Sequence, residues 1–167
     1  IKEEDLINRA IELGHSVVAI TDHETIASAV KISKIKDKLK DKIKIIMGNE
    51  IYLCRDGLNK DNYITEEDKY YHFVLLAKDK IGFQQICELS TRAWLRSYKS
   101  RGMRRVPTYY EDIIEIIGAN PGHVVASTAC LGGFLPTKLL EHKQSNDDIL
   151  WEKILNWCKL MCRTFGG

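Results

Sequence analysis

The stretch from Val17 to His23 reads Val-Val-Ala-Ile-Thr-Asp-His, and it constrains the fold more than any other segment of the chain. A continuous run rich in Val and Ile is typical of a buried parallel strand. In α/β folds the functional groups gather where such strands end, because the following loops open there. Adjacent Asp22 and His23 at that end offer a carboxylate oxygen and an imidazole nitrogen, both common metal ligands.

Length and composition exclude several classes of protein. A chain of 167 residues suits one domain, and its hydrophobic and charged fractions of 44% and 29% are ordinary for a globular protein. The net charge of +2 does not by itself indicate nucleic-acid binding. No apolar run approaches the roughly 20 residues that span a bilayer, so we expect no membrane partner. The five cysteines lack CxxC spacing, which favours reduced thiols and a cytoplasmic location.

Apolar periodicity predicts strands that alternate with helices. The predicted strands cover residues 16–20, 43–53, 71–77 and 123–128. The predicted helices are one through Leu6, Ala10 and Leu13, one capped by Asp79, and those over 24–40, 110–117, 135–142 and 149–164. A polar loop is predicted at 54–69 and a basic connection at 97–108. This alternation predicts parallel β/α units, either in an open sheet or in part of a barrel.

Three further polar side chains fall at or near predicted strand ends. Glu50 lies in an otherwise apolar strand, where an unpaired carboxylate would be costly. His72 shares strand parity with Val74 and Leu76, and Cys130 follows the last predicted strand. Each residue alone has a simpler explanation: a surface Glu, a hydrogen-bonded core His and a small buried Cys. Their common position at the ends of strands favours a shared site that also includes His23.

Four motifs carry a resemblance to a known family. They are Thr21-Asp22-His23, Gly48-x-Glu50, the run from His72 to Lys78 (HFVLLAK), and the run from Ser127 to Gly133 (STACLGG). In order and spacing they resemble the PHP (polymerase and histidinol phosphatase) domain over roughly residues 4–165. The segments LLAKDKIGFQQICELSTRAW and STACLGGFLP are similar to the version in the bacterial DNA polymerase III alpha subunit.

The resemblance implies a distorted (β/α)7 barrel with divalent metal ions at the carboxyl ends of its strands. By position, His23, Glu50, His72 and Cys130 would be metal ligands. Asp22 would be catalytic, either as a further ligand or as the group that orients His23. Zinc, manganese or iron suits this mixture of donors, and magnesium would serve the parent polymerase.

The chain also departs from the family pattern. The family opens with a His-x-His strand and closes with an Asp-x-His strand, and neither is found in this sequence. We therefore expect residues 1–167 to be a trimmed fragment of one PHP domain, without its first and last strands and without the palm, thumb and fingers of a polymerase. The metal cluster would be incomplete in the same way.

A basic segment accompanies these motifs. Arginines are concentrated between residues 92 and 105, interleaved with aromatic residues; they are Arg92, Arg96, Arg101, Arg104 and Arg105. Cations and aromatic rings together can neutralise phosphates and stack on bases, so this segment is a candidate DNA-binding surface. The alternative is a solvated helix face and loop.

Three functions stay open at this point. The first is a domain of a bacterial replicative polymerase, a nucleotidyltransferase acting in DNA replication, with metal-dependent 3′–5′ exonuclease activity. Its partners would be DNA and other subunits of the polymerase holoenzyme. The second is a structural, subunit-binding domain of the same polymerase. The third is a standalone phosphoesterase similar to histidinol phosphatase.

Overall fold

The computed structural model describes residues 2–39, 41–54, 70–100 and 102–167. Its elements follow one another as α1 (Glu3–Glu12), β1 (Val17–His23), α2 (Ser28–Leu39), β2 (Lys44–Cys54), β3 (Tyr70–Ala77), α3 (Lys80–Leu95), β4 (Tyr98–Ser100), β5 (Met103–Arg105), β6 (Pro107–Thr108), α4 (Tyr110–Ile116), β7 (Val124–Ser127), α5 (Phe134–Ser145) and α6 (Asp148–Phe165). The chain is therefore a mixed α/β protein. No helix in these described segments is long and apolar enough to cross a membrane.

The main sheet has five strands, of which four run in the order β1-β2-β3-β7. β1 is parallel to β2, whereas β3 is antiparallel to both β2 and β7. The prediction of parallel β/α units is therefore wrong for β3. An antiparallel neighbour needs no helical crossover, and the predicted polar loop between β2 and β3 lies outside the described residues except for Cys54. Among the described strands, no pairing joins β1 to β7, so the barrel stays a prediction.

β6 continues the sheet where β1 stops. The pairing of β1 with β2 ends at His23 opposite Glu50, and β6 pairs with β2 immediately beyond it, at Tyr52 and Leu53. The two strands thus share one edge of β2. β4 and β5 form a separate two-stranded hairpin just before β6. The predicted basic connection is therefore a hairpin and a short strand, with Arg101 outside the described residues.

One face of the sheet carries the main hydrophobic core. Successive side chains of a strand point to opposite faces, and the residues Ile51, Leu53, Phe73, Leu75 and Val124 are buried together against α3, α4 and α6. The opposite face of β2 and β3 is only half-buried, and it carries Glu50 and His72. The polar candidates therefore lie on the side of the sheet away from these helices.

A second core lies where α1 and α2 cover one side of β1. It consists of Ile7, Ala10, Ile20, Ile32 and Ile43. The predicted apolar stripe of α1 is partly wrong, because Leu6 and Leu13 are 39% and 58% exposed while Ile7 is fully buried.

Helix caps fix where several elements begin. The carboxylate of Asp79 accepts a hydrogen bond from the backbone N–H of Gly82 at 2.9 Å, which confirms the predicted cap of α3. Gly82 also allows α3 to approach β7 closely, since a Cβ at this position would lie 2.0 Å from the carbonyl oxygen of His123. Asp147 caps α6 in the same manner as Asp79 caps α3.

Candidate metal centre

Four of the predicted site residues form a continuous chain of contacts. His23 Nδ1 lies 3.1 Å from Glu50 Oε2, and His72 Nδ1 lies 3.2 Å from Glu50 Oε1. The sulfur of Cys130 is 3.5 Å from His72 Nδ1. The two imidazole rings are 5.9 Å apart between centroids. Glu50 thus bridges both histidines, and the thiol extends the group on the side of His72.

Strand register brings the first three of these residues together. His23 is directly opposite Glu50 in the parallel pair β1–β2. His72 pairs with Tyr52 in the antiparallel pair β2–β3, which places it diagonally next to Glu50 on the same face. Because β3 runs antiparallel, His72 near its beginning reaches the same edge as His23 at the end of β1. The direction of β3, which differs from the prediction, is therefore what completes the group.

A tight loop after β7 positions Cys130 beside His72. Ala129 adopts a left-handed φ of +58°, and a Cβ on Gly133 would lie 2.0 Å from the carbonyl oxygen of Thr128, so the loop requires glycine there. The backbone N–H of His72 donates to the carbonyl of Gly132 at 3.1 Å, and the N–H of Gly132 donates to the sulfur of Cys130 at 3.3 Å. These bonds hold the thiol beside the imidazole of His72.

The donor atoms fit a transition-metal site in type and pairwise spacing. Zinc bonds of about 2.0–2.3 Å to nitrogen and sulfur in a tetrahedral site imply ligand–ligand distances of about 3.3–3.7 Å. The observed separations of 3.2 Å and 3.5 Å around His72 are close to this range. Within the described residues, however, no group of three or more His, Cys, Asp or Glu side chains is arranged to hold a metal ion by itself. The group supplies suitable donors without forming a closed coordination shell.

Asp22 lies outside this group. Its two carboxylate oxygens accept hydrogen bonds from the backbone N–H of Ser28 at 2.8 Å and from the hydroxyl of the same residue at 2.7 Å. This contact lies at the beginning of α2, which starts four residues after its predicted first residue. Asp22 alternates with His23 along β1 and therefore points to the other face of the sheet. The structure thus shows Asp22 anchoring α2 to the end of β1.

Glu24 adjoins the candidate site, and the sequence pattern did not indicate it. It has a left-handed φ of +55°, which is uncommon for a residue with a side chain. Its backbone N–H donates to the carbonyl of Glu50 at 2.7 Å, and its carboxylate accepts from the N–H of Val106 at 3.1 Å. Burial raises the pKa of the Glu24 carboxyl, against the opposing effect of the Val106 N–H. Its partner is 82 residues away, so no local sequence signal could have indicated this role.

Two tyrosines flank the histidines. The ring of Tyr52 lies edge-on to His23, with centroids 4.8 Å apart, and 5.3 Å from the ring of His72. Tyr70 follows at 5.5 Å from Tyr52. The sequence did contain a signal for Tyr52, since it shares strand parity with Glu50. The wall of the candidate site is therefore aromatic on the side of β2.

The arginines of the basic segment divide into two kinds. Arg92 forms ion pairs with Glu88 and Glu115, and Arg96 binds both carboxylate oxygens of the buried Asp112. The other two described arginines contact rings and a hydroxyl instead. Arg104 donates to Ser97 at 2.8 Å and lies over Trp94 at 5.9 Å, and Arg105 lies over Tyr52 and Tyr70.

Comparison with known proteins establishes the family. The family described as "PHP domain" matches residues 1–166, and the chain therefore belongs to the PHP domain family. The resemblance deduced from the motifs is thereby confirmed.

Two curated relatives carry the names of DNA polymerases. The chain is 34% identical over 172 residues to the "Probable DNA polymerase YorL" of Bacillus subtilis (strain 168), covering 92% of this chain and 13% of that protein. It is 27% identical over 158 residues to the "DNA polymerase III subunit alpha" of Borreliella burgdorferi, covering 91% of this chain and 13% of that protein. The chain thus spans about one eighth of the length of these relatives.

Among solved structures, a putative metal-dependent phosphoesterase from Bifidobacterium adolescentis matches 55% of this chain and 29% of its own, with 18% identity and a TM-score of 0.32. A similarity of this extent says nothing about the residues of the candidate site.

Proposed function

We propose that this PHP domain binds divalent metal ions through His23, Glu50, His72 and Cys130, and that it contributes phosphodiester hydrolysis to a DNA polymerase. The observation that carries the proposal is the convergence of two imidazoles, a carboxylate and a thiol on one face of the sheet. The polymerase relatives that share nearly the whole chain supply the context.

The chain's own residues would prepare the site in three ways. Glu50 contacts both imidazoles, which restrains their orientation. The hydrogen bond from the N–H of Gly132 keeps the sulfur of Cys130 beside His72. Metal ions bound to such donors supply a water of lowered pKa and neutralise charge on a phosphoryl oxygen. Zinc, manganese or iron suits the donor set, and further donors are needed to close the coordination shell.

We propose a positioning role for Asp22 rather than direct contact with substrate. Its carboxylate is engaged by Ser28, and this bond fixes the end of β1 from which His23 projects. A catalytic role, as the motif resemblance predicts, would require the carboxylate to leave Ser28 and to reach the opposite face of the sheet.

We propose the wider setting by analogy with these relatives. A domain of a replicative polymerase would act on DNA in the cytoplasm, contact other subunits of the holoenzyme, and accompany a magnesium-dependent nucleotidyltransferase centre elsewhere in the protein. The 3′–5′ exonuclease activity is the specific form of hydrolysis that we propose.

A structural role in the same polymerase is the second candidate. One observation favours it: Glu50 is hydrogen-bonded to His23 and lies 3.2 Å from Nδ1 of His72, so these side chains have partners within the group without metal. In that case the domain would contribute stability or subunit contacts, and replacement of His72 would change neither metal content nor hydrolysis.

Metal titration of His72→Ala tests the proposal. Protein stripped with a chelator is titrated with Zn²⁺ and Mn²⁺ by calorimetry, and hydrolysis of a 3′-labelled single-stranded oligonucleotide is measured in parallel. Because the described donors are incomplete, we expect weak or sub-stoichiometric binding by the unmodified chain, and a loss of at least about tenfold in affinity for His72→Ala.

His15→Ala serves as the matched control, because His15 is exposed and precedes the first residue of β1, whereas His23 is the last residue of that strand. It should bind metal as the unmodified chain does. Equal metal binding by the His72→Ala and His15→Ala proteins would contradict the proposed site.

A further inference from the structure

The guanidinium of Arg105 is held by two aromatic faces at the end of β5. Its central carbon lies 5.9 Å from the ring centroid of Tyr52 and 5.3 Å from that of Tyr70. The two rings are tilted by 56° to each other, so they form an angled seat for the cation. Cation–π contacts of this kind fix the position of a guanidinium without using its N–H donors.

This seat adjoins the candidate metal centre. Tyr52 is also the ring that contacts His23 and His72, so a single aromatic side chain separates Arg105 from both imidazoles. The backbone beside Arg105 is fixed as well, because the N–H of Val106 donates to the carboxylate of Glu24. The hairpin thus places a cation at a defined position next to the group of donors.

Among the described residues, no hydrogen bond or ion pair engages the guanidinium of Arg105, whereas its neighbour Arg104 donates to Ser97. Arg92 and Arg96 are committed to carboxylates that join α3 to α4. In the part of the chain that the structure describes, no carboxylate lies within ion-pair distance of Arg105, although the charge of Arg105 contributes to lowering the pKa of Glu24. A planar guanidinium whose donors no described residue engages matches the oxygen pairs of a phosphate group.

We infer that Arg105, seated on Tyr52 and Tyr70, forms a subsite for a backbone phosphate of single-stranded DNA, next to the phosphate that the metal centre acts on. The inference rests on the proposed function and restricts the class of substrate for that function. A substrate must carry a second phosphate to use this subsite, so Arg105 favours a polynucleotide over a small phosphate monoester. The aromatic seat beside it also suits stacking of a base.

Binding of a labelled oligonucleotide in the absence of metal tests this subsite separately from the metal site. The probe is fluorescein-labelled oligothymidylate of eight nucleotides, followed by fluorescence anisotropy in EDTA at several salt concentrations. The variant is Arg105→Met, which keeps an unbranched stem on the tyrosines and removes the charge. The matched control is Arg9→Ala, which also removes one positive charge but from an exposed pair with Glu12.

We expect Arg105→Met to weaken binding about fivefold to tenfold and to reduce the salt slope by about 0.7, the contribution of one phosphate contact on a single strand. Arg105→Lys should retain the salt slope and recover only part of the affinity, because an ammonium lacks the planar fork. The Arg9→Ala protein should bind as the unmodified chain does. Thermal melting of each variant confirms that it is folded.

The outcome is distinguishable from that of the proposed function, because no metal is present in this assay. Equal affinity and salt slope for Arg105→Met and Arg9→Ala would overturn the subsite, whatever the metal titrations show. Absence of measurable oligonucleotide binding by the unmodified chain would overturn it as well. A loss confined to the Arg105 variants would support it even if His72→Ala leaves metal binding unchanged.

Discussion

Replacement of Arg96 by alanine tests whether this arginine serves the fold rather than DNA. The carboxylate of Asp112 is 4% exposed and is bound by both terminal nitrogens of Arg96, one of them at 2.8 Å. It also accepts the backbone N–H of Tyr109 at 3.2 Å, at the beginning of α4. Arg96→Ala removes the main counter-charge of a buried carboxylate.

The expected cost can be worked out from these contacts. Removing one partner of a buried ion pair costs about 3–5 kcal/mol, because the remaining charge stays desolvated. Two features place Arg96→Ala at the lower end of that range: the Arg96 side chain is 36% exposed, and Arg92 remains 3.6 Å from the same carboxylate. We expect a loss of about 3 kcal/mol in the free energy of unfolding. For a chain of this size that loss lowers Tm by about 6–12 °C.

Urea unfolding followed by far-ultraviolet circular dichroism measures the change. Arg9→Ala, in its exposed pair with Glu12, should lie within about 0.5 kcal/mol of the unmodified chain. Adding Asp112→Asn to Arg96→Ala should recover about 1 kcal/mol or more, since the buried charge is gone. A loss below about 1 kcal/mol for Arg96→Ala would refute the structural interpretation and return Arg96 to the candidate DNA-binding surface.

Two further predictions concern the contact between α3 and β7. Gly82→Ala should destabilise the chain by about 2–3 kcal/mol in urea unfolding, because its Cβ would meet the carbonyl of His123 at 2.0 Å; an unchanged midpoint would contradict this packing. The N–H of Gly82 and the side chain of His123 hold the pKa of Asp79 below its usual value. Its contribution to stability is therefore present above about pH 4 and lost as the pH falls through the lowered pKa. Asp79→Asn should flatten the decline in stability below about pH 5, and a decline as steep as that of the unmodified chain would argue against it.

Local features of this fold could be predicted from the sequence. The strand before His23 and the cap at Asp79 depend on neighbouring residues, and they lie where the pattern indicated. The direction of β3 could not be predicted in this way. It is set by the pairing of β3 with β2 and β7, and strand–helix alternation does not indicate how strands distant in sequence pair.

The candidate site likewise contains features that neighbouring residues indicate and features that depend on distant parts of the chain. Grouping His23, Glu50, His72 and Cys130 required only strand ends and motif order. The role of Asp22 was implied by the Thr21-Asp22-His23 motif, which does not indicate the direction in which each side chain points. β1 continues through His23, and adjacent residues of a strand face opposite ways.

The arginines could not be sorted from the sequence. Whether Arg96 or Arg105 is neutralised depends on Asp112 and on the rings of Tyr52 and Tyr70, which only the folded chain brings into contact. A cluster of cations in a sequence therefore says little about which of them remain available to a ligand.

β1 and β6 pair with successive segments of the same edge of β2. The candidate metal ligands and the candidate phosphate-binding arginine therefore belong to different elements. His23 and Glu50 belong to strands paired in register, whereas the hairpin that ends in Arg105 reaches the sheet through β6, the hydrogen bond from Val106 to Glu24, and the rings of Tyr52 and Tyr70. Because the hairpin pairs with neither β1 nor β2, a change in its length or sequence leaves the β1–β2 register that sets His23 opposite Glu50 intact. Related domains could thereby differ in the ligand that the hairpin contacts while keeping the same metal-binding residues.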